Sequence, residues 1–235
     1  MATVDDVLDR CKDQLMDESG VRWTQEELIR YVLDAQREIV NYKPDAIVVT
    51  ATMDATGTTP DGGSLISTYP LRPGTKQELP ATALRLLSLV RNNYSNATRS
   101  IRAVSRETLD RFVPGWHGVA AAQETKHFIY DENTPTVFYI YPQQPNPATG
   151  SIELVYTKNP DDINSSADSI EVADSYINAI VDYTLYRAFS KDGEVPTSQQ
   201  RAATQYQAFI TGLQGKQAVD EGVSPRVSPL NISPQ

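Results

Sequence analysis

Apolar residues recur at helical spacing only near the two ends of this chain, and the stretch between them is written in the Ile, Val, Thr and Tyr vocabulary of strands. That division constrains the fold more than any single motif. At the N-terminal end Val4, Val7, Leu8, Cys11 and Leu15 form one stripe, and Thr3 with Asp6 has the spacing of a capping box at a helix start. After Gly20, the residues Trp23, Thr24, Glu27 and Leu28 occupy the positions of a hydrophobic staple and a second capping box. Leu28, Ile29, Val32, Leu33, Ala35, Gln36, Ile39 and Val40 continue as a broad apolar face until Pro44, whose ring pushes the preceding residue out of helical geometry. The spacing predicts a helical hairpin over residues 3–43.

At the other end Tyr176, Ile177, Ile180, Val181, Thr184, Leu185, Ala188 and Phe189 hold one face over four turns, with Asp174 in position to cap it. Lys191, Asp192, Gly193 and Pro196 end that helix. Thr197 or Ser198 opens another, carrying Ala202, Ala203, Tyr206, Phe209, Ile210 and Leu213, and the short connection makes the two antiparallel. Between the helical ends, IVVTATM and SLISTYPL read as two strands around a Gly/Pro turn, and IRAV as another. HFIYDEN, TVFYIYP and SIELVYTK read as an antiparallel meander. ALRLLSLVRN fits a short helix or a buried strand equally well. SRETLDRF reads as a short helix capped by Ser105 and stopped at Pro114 and Gly115.

The predicted fold class is α+β, with terminal helices forming a helical bundle around a central antiparallel β-rich insertion. Its divisions are 1–45, an N-terminal helical hairpin; 46–165, a β-rich region with a short helix; 166–214, a C-terminal hairpin completing the bundle; and 215–235, an extended C-terminal arm. The arm is read from EGVSPRVSPLNISPQ, whose three Ser-Pro pairs oppose a helix. Val223, Pro225, Arg226, Val227, Pro229, Leu230 and Ile232 make it either a frayed end or an arm that lies on another subunit.

With 40% hydrophobic residues, 12 Tyr, 5 Phe and 2 Trp among 235, the chain has enough large side chains to build a core. No stretch approaches the roughly 20 consecutive apolar residues of a membrane helix, and the acidic start MATVDDVLDR lacks the pattern of a secretory signal, which predicts folding in a cytoplasm with no membrane partner. A lone cysteine, Cys11, excludes an internal disulfide framework and sits on an apolar stripe as a buried small hydrophobe. His117 and His127 lack metal-site spacing, and GTTPDGGS has the glycines of a phosphate loop without its lysine, so no cofactor or metal is expected. Neighbouring acids, Asp131 with Glu132 and Asp161 with Asp162, are the nearest approach to a glycosidase pair and read more simply as solvated turn charges.

The net charge of −9 opposes wrapping around a nucleic acid. It hides one basic island: residues 72–111 carry eight cations, Arg72, Lys76, Arg85, Arg91, Arg99, Arg102, Arg106 and Arg111, against three acids. The island is either a self-compensating solvated face or a protein interface in which Arg99, Arg102 and Arg106 make inter-subunit contacts with an acidic region of a neighbouring copy.

The segments VDDVLDRCKDQLMDES, VRWTQEELIRYVLDAQREIVNYKPDA and SYINAIVDYTLYRAFSKDGE, taken together, resemble the head-to-tail adaptor (connector) proteins of short-tailed bacteriophages, related in plan to the tail tubular protein A type. The resemblance implies a structural virion protein that is not an enzyme, sits at the head-tail junction and is assembled in the host cytoplasm. It implies a homo-oligomer, a dodecameric ring docked on the portal protein through the arm, with a tail or nozzle protein as its next partner. Genomic DNA would pass through the channel during ejection without sequence-specific binding. The alternatives are another tail-tube or head-completion protein of the virion, a virion-associated peptidoglycan hydrolase, or an isolated DNA-binding module.

Overall fold

Thr3 opens the first helix as its spacing with Asp6 predicts. Its hydroxyl accepts from the Asp6 amide, and the Asp6 carboxylate accepts in return from the Thr3 amide at 2.8 Å. The computed structural model describes residues 2–54, 68–93, 99–191 and 196–223. The chain divides into a helical unit of Met1–Tyr42 with Asp162–Gln235, and a β unit of Lys43–Asp161.

The helical unit contains α1 (Val4–Leu15), α2 (Gln25–Tyr42), α4 (Ile177–Lys191) and α5 (Pro196–Val223). α1 buries Val4, Val7, Leu8, Cys11 and Leu15, and α2 buries Leu28, Val32, Ala35, Gln36, Ile39 and Val40, each on one face. α4 differs: Ile177, Ala179, Ile180, Val181, Tyr183, Thr184, Leu185, Ala188 and Phe189 are buried nearly all round it, because α1, α2 and α5 all pack against it. Polar contacts fix the two chain ends to each other. The Trp23 indole donates to the Ala188 carbonyl at 3.0 Å, Arg187 pairs with Asp34 at 3.2 Å, and the Glu171 amide donates to buried Gln36 Oε1 at 3.0 Å.

The β unit contains β1 (Val48–Asp54), β2 (Thr68–Pro70), β3 (Gly74–Glu78), β4 (Ala83–Asn92), β5 (Arg102–Ala103), α3 (Arg106–Phe112), β6 (His127–Tyr130), β7 (Val137–Gln144) and β8 (Ser151–Lys158). The strands form two sheets of order β2-β1-β8-β4 and β3-β7-β6-β5. One core joins them: Ala51, Met53, Leu89 and Leu154 from the first sheet pack with Phe128, Phe138 and Ile140 from the second. α3 and a 3-10 turn at Trp116–Gly118 lie on the outer face of the second sheet, where Leu109 and Trp116 meet Ile129.

Four expectations need correction. HFIYDEN and TVFYIYP do pair as the antiparallel β6 and β7, but β8 leaves that sheet to sit between β1 and β4, so the three are not a meander. β1 and β2 run parallel rather than as a hairpin, and the Gly/Pro stretch between them lies outside the described residues. Asp174 opens a 3-10 turn instead of capping α4, and its carboxylate accepts from the Ala2 amide at 3.0 Å. The extended arm does not begin at 215. α5 continues through Gly215 to Val223, because Lys216, Gln217, Ala218 and Glu221 are good helix formers, a glycine within a helix costs only about 1 kcal/mol, and the first proline of the tail is Pro225. Of the arm residues only Val223 is described, within the helix; Pro225, Arg226, Val227, Pro229, Leu230 and Ile232 lie outside the described residues.

Candidate docking surfaces

Most of the basic island is neutralised inside its own unit. Lys76 and Arg72 both reach Glu78 and hold its carboxyl below the usual range, Arg91 pairs with Glu153, Arg99 with Glu124 at 3.2 Å, and Arg106 with Asp110 at 3.5 Å. Arg85, Arg102 and Arg111 have no carboxylate partner among the described residues. The three arginines singled out from sequence therefore separate. Arg99 and Arg106 are compensated in place, by pairs that at this exposure are worth at most about 1 kcal/mol each. Arg102, on the edge strand β5, keeps an unneutralised charge.

A groove of about 570 Å³ opens on the outer face of the second sheet, lined by Arg106, Trp116, His117, Asp131, Glu132 and Tyr139 among others. Gly115, at φ 76°, supplies the left-handed turn that sets Trp116 down on Ile129. The Trp116 indole donates to Asp110 Oδ1 at 2.8 Å, and the His117 ring stacks on the indole at 3.7 Å with Nδ1 2.9 Å from Thr75 Oγ1. Tyr139 meets the indole edge-on at 6.2 Å.

The far wall of the groove is the β6–β7 turn. There Asp131 Oδ1 accepts from the Asn133 amide at 2.9 Å, and hydrogen bonds from Asn133 lower the Asp131 pKa. A general acid needs the opposite shift. The other acid pair is divided between two cations: Asp161 accepts from Lys158 and Asp162 from Arg37. His127 stands apart in β6, its pKa lowered by burial and then by Arg102, Arg99 and Lys126. Among the described residues no three metal-ligating side chains converge, and no helix is long and apolar enough to cross a membrane. The glycine-rich stretch 57–64 lies outside them. The β unit presents the Trp116 groove on its second sheet and Arg102 on the edge strand β5.

The helical unit presents one more. α5 has 28 residues and spans about 42 Å, whereas α4 has 15 and spans about 22 Å. Ring contacts run antiparallel between them, Tyr186 with Tyr206 at 4.9 Å and Tyr183 with Phe209 at 5.1 Å, and Lys216 Nζ lies 5.9 Å from the Tyr176 ring where α4 begins. Residues 217–223 continue beyond that point, with Val219 58% exposed.

The profile of the SU10 adaptor protein family matches residues 2–231, both units included. The chain belongs to the SU10 adaptor protein family. This is a phage head-tail adaptor family, so the chain is a structural phage protein of the head-tail junction, and an adaptor of this kind works between portal and tail proteins. No curated protein matches this adaptor by sequence.

Sequence reasoning passed over three exposed apolar side chains of the adaptor. Phe112 ends α3 at 75% exposure, and Leu87 and Val90 stand out from β4 at 45% and 38%. Phe112 follows Leu109 by three residues and so counts as core by helical spacing, but α3 is too short to bury both. The clue to Leu87 and Val90 lies in β4's pairing with β8, whose register shifts turn them outward.

Proposed function

We propose that copies of this adaptor, a dozen in the virion, form a ring that docks on the portal, extends the DNA channel and gives the tail its attachment platform. The observation that carries this reading is the overrun of α5 past α4, which takes the chain's C-terminal end beyond its own packing partner. The twelve residues 224–235 that follow can reach at most about 40 Å, enough to cross onto a second protein. Pro225, Val227, Leu230 and Ile232 supply the apolar contacts of that arm, and Arg226 its cation. Arg102, with no carboxylate partner among the described residues, is the cation of the sequence-singled trio available to a neighbour.

The charge fits a conduit. A net −9 on every copy keeps the ring predominantly acidic and gives DNA phosphates no trap, so DNA passes without sequence-specific binding. Co-sedimentation with portal rings tests the reading. Deleting 217–235 is expected to leave the melting temperature within about 2 °C of the full chain and to abolish association with the portal. Undiminished association of the shortened chain would overturn it.

A further inference from the structure

The β unit has two outer faces, and they are complementary. On the first sheet the inner residues Val49, Ala51, Met53, Leu86 and Leu89 enter the shared core, so the face turned outward carries Val48, Thr50, Leu87, Ser88, Val90 and Val155 where it is open, and Thr52, Asp54, Ser151 and Thr157 where it is buried. Val48, Leu87 and Val90 are 47%, 45% and 38% exposed. Three register shifts between β4 and β8 turn Leu87 and Val90 outward, which spends apolar side chains on water without serving the sandwich. Arg85, at the Val48–Thr157 end of this face, has no ion-pair partner among the described residues. The opposite end carries Glu153 with Arg91.

The second sheet's outer face points the other way, because both sheets pack on one core. It offers the aromatic groove, an acidic end at Asp131 and Glu132, and a basic end at Arg102, which shares its level with His127 and Tyr141. The two charge patterns run in the same direction along the sandwich. The Leu86 amide donates to the Pro135 carbonyl at 3.3 Å, which sets Arg85 at the same end as the Asp131–Glu132 turn. Asn92 bonds the Arg99 and Thr125 carbonyls at 3.0 and 2.8 Å, which sets Glu153 and Arg91 at the same end as Arg102.

We infer that the occupant of the Trp116 groove is a second copy of this chain, which lays the outer face of its first sheet, Leu87 and Val90 foremost, against the second sheet of its neighbour. This deepens the ring reading and rests on it. A contact between two different faces of one protein is heterologous, and it closes when successive copies are turned by a small angle, about 30° for a dozen. So small a turn keeps neighbouring sandwiches nearly in register. Arg85 of one copy then meets Asp131 and Glu132 of the next, Glu153 meets Arg102, and Leu87 and Val90 cover the groove's aromatic wall. Reversing the stacking would set Arg85 against Arg102, so charge fixes the orientation.

The test uses two full-length chains, Leu87→Cys and Glu132→Cys, made alone or co-expressed, and treated with a short bis-maleimide in rings and in virions. The native Cys11 stays silent, since burial pushes its thiol up to about 12. Covalent dimers are expected only when both chains are present. Dimers from either chain alone mean that like faces meet and overturn the inference. Rings visible by electron microscopy that yield no dimers in the mixture also overturn it, while leaving the ring reading intact; a portal vertex without rings defeats both. In a second test, Arg85→Glu and Glu132→Arg each lower the yield of infectious particles at least about tenfold, and the double variant returns it to within about threefold. Failure of the double variant to recover, with both singles folded by circular dichroism, overturns the charge pairing.

Discussion

Asp182 and Asp17 show how one residue type acts in opposite ways in the helical unit. Asp182 lies half-buried on α4 near Cys11 with no hydrogen bond or ion pair among the described residues, and burial raises its pKa. Its folded form holds a proton more tightly than its unfolded form, so it costs stability at neutral pH, and that cost fades as pH falls below the folded pKa. Asp182→Asn is expected to raise the melting temperature at pH 7 by about 1 °C or more, allowing for the water that still reaches the group, with the gain shrinking in acid. Asp17 accepts from the Trp23, Arg22 and Val21 amides at 2.9, 2.9 and 3.1 Å, which lowers its pKa. Its contribution is present above the unfolded carboxylate pKa and is lost as pH falls through the folded one. Thermal melts of Asp17→Asn against the parent should therefore differ at pH 7 and converge in strong acid; a gap that widened on acidification would contradict this. Neither acid is distinguishable in sequence, since burial and loop capture are both tertiary. The Thr3–Asp6 box was legible because both partners lie within one turn. Its counterpart at Thr24 forms by half: Glu27 turns instead to Lys191 at 2.7 Å and the Tyr31 hydroxyl at 2.8 Å.

At the scale of elements, periodicity was readable wherever one element meets one environment. α1 and α2 follow their stripes, whereas α4 buries its stripe and also Ala179 and Tyr183 because three helices meet it, and α3 starts at its Ser105 cap, whose hydroxyl accepts from the Thr108 amide at 3.2 Å. β4 was ambiguous for a physical reason. Its buried residues Ala83, Leu86, Leu89 and Asn92 fall every third position, because the register shifts against β8 break the alternation of a strand into something close to a helical period. The placement of β8 in the first sheet was not legible, since local vocabulary does not say which strand is the partner. α5 outran its expectation at Gly215, where an added Cβ would meet nothing within 4 Å. Gly215→Ala is therefore expected to stabilise the chain by about 0.5–1 kcal/mol in urea unfolding, and a loss of stability would show that residue 215 leaves the helix. Phe209 anchors α5, fully buried against Tyr183 and Tyr42. Phe209→Ala should cost about 3–5 kcal/mol, and a cost below about 1 kcal/mol would mean that α5 is not held by this contact.

For the whole molecule, the division between helical ends and a β middle was visible in the order of residue types, and the family followed from segments in both helical ends together. The basic island was visible as a count but not as a surface. Glu124 and Glu153, which neutralise Arg99 and Arg91, lie 25 and 62 residues away in sequence, so which arginines stay free is decided by the fold. The central claim is that the adaptor works as a ring against the portal, held by contacts that a single copy leaves open. The most direct measurement is a cryo-EM reconstruction of the portal vertex in intact virions. The account predicts a closed ring of copies between portal and tail, with the C-terminal end of each chain on the portal. A vertex in which this chain is absent, or present as a single copy away from the portal, would contradict it.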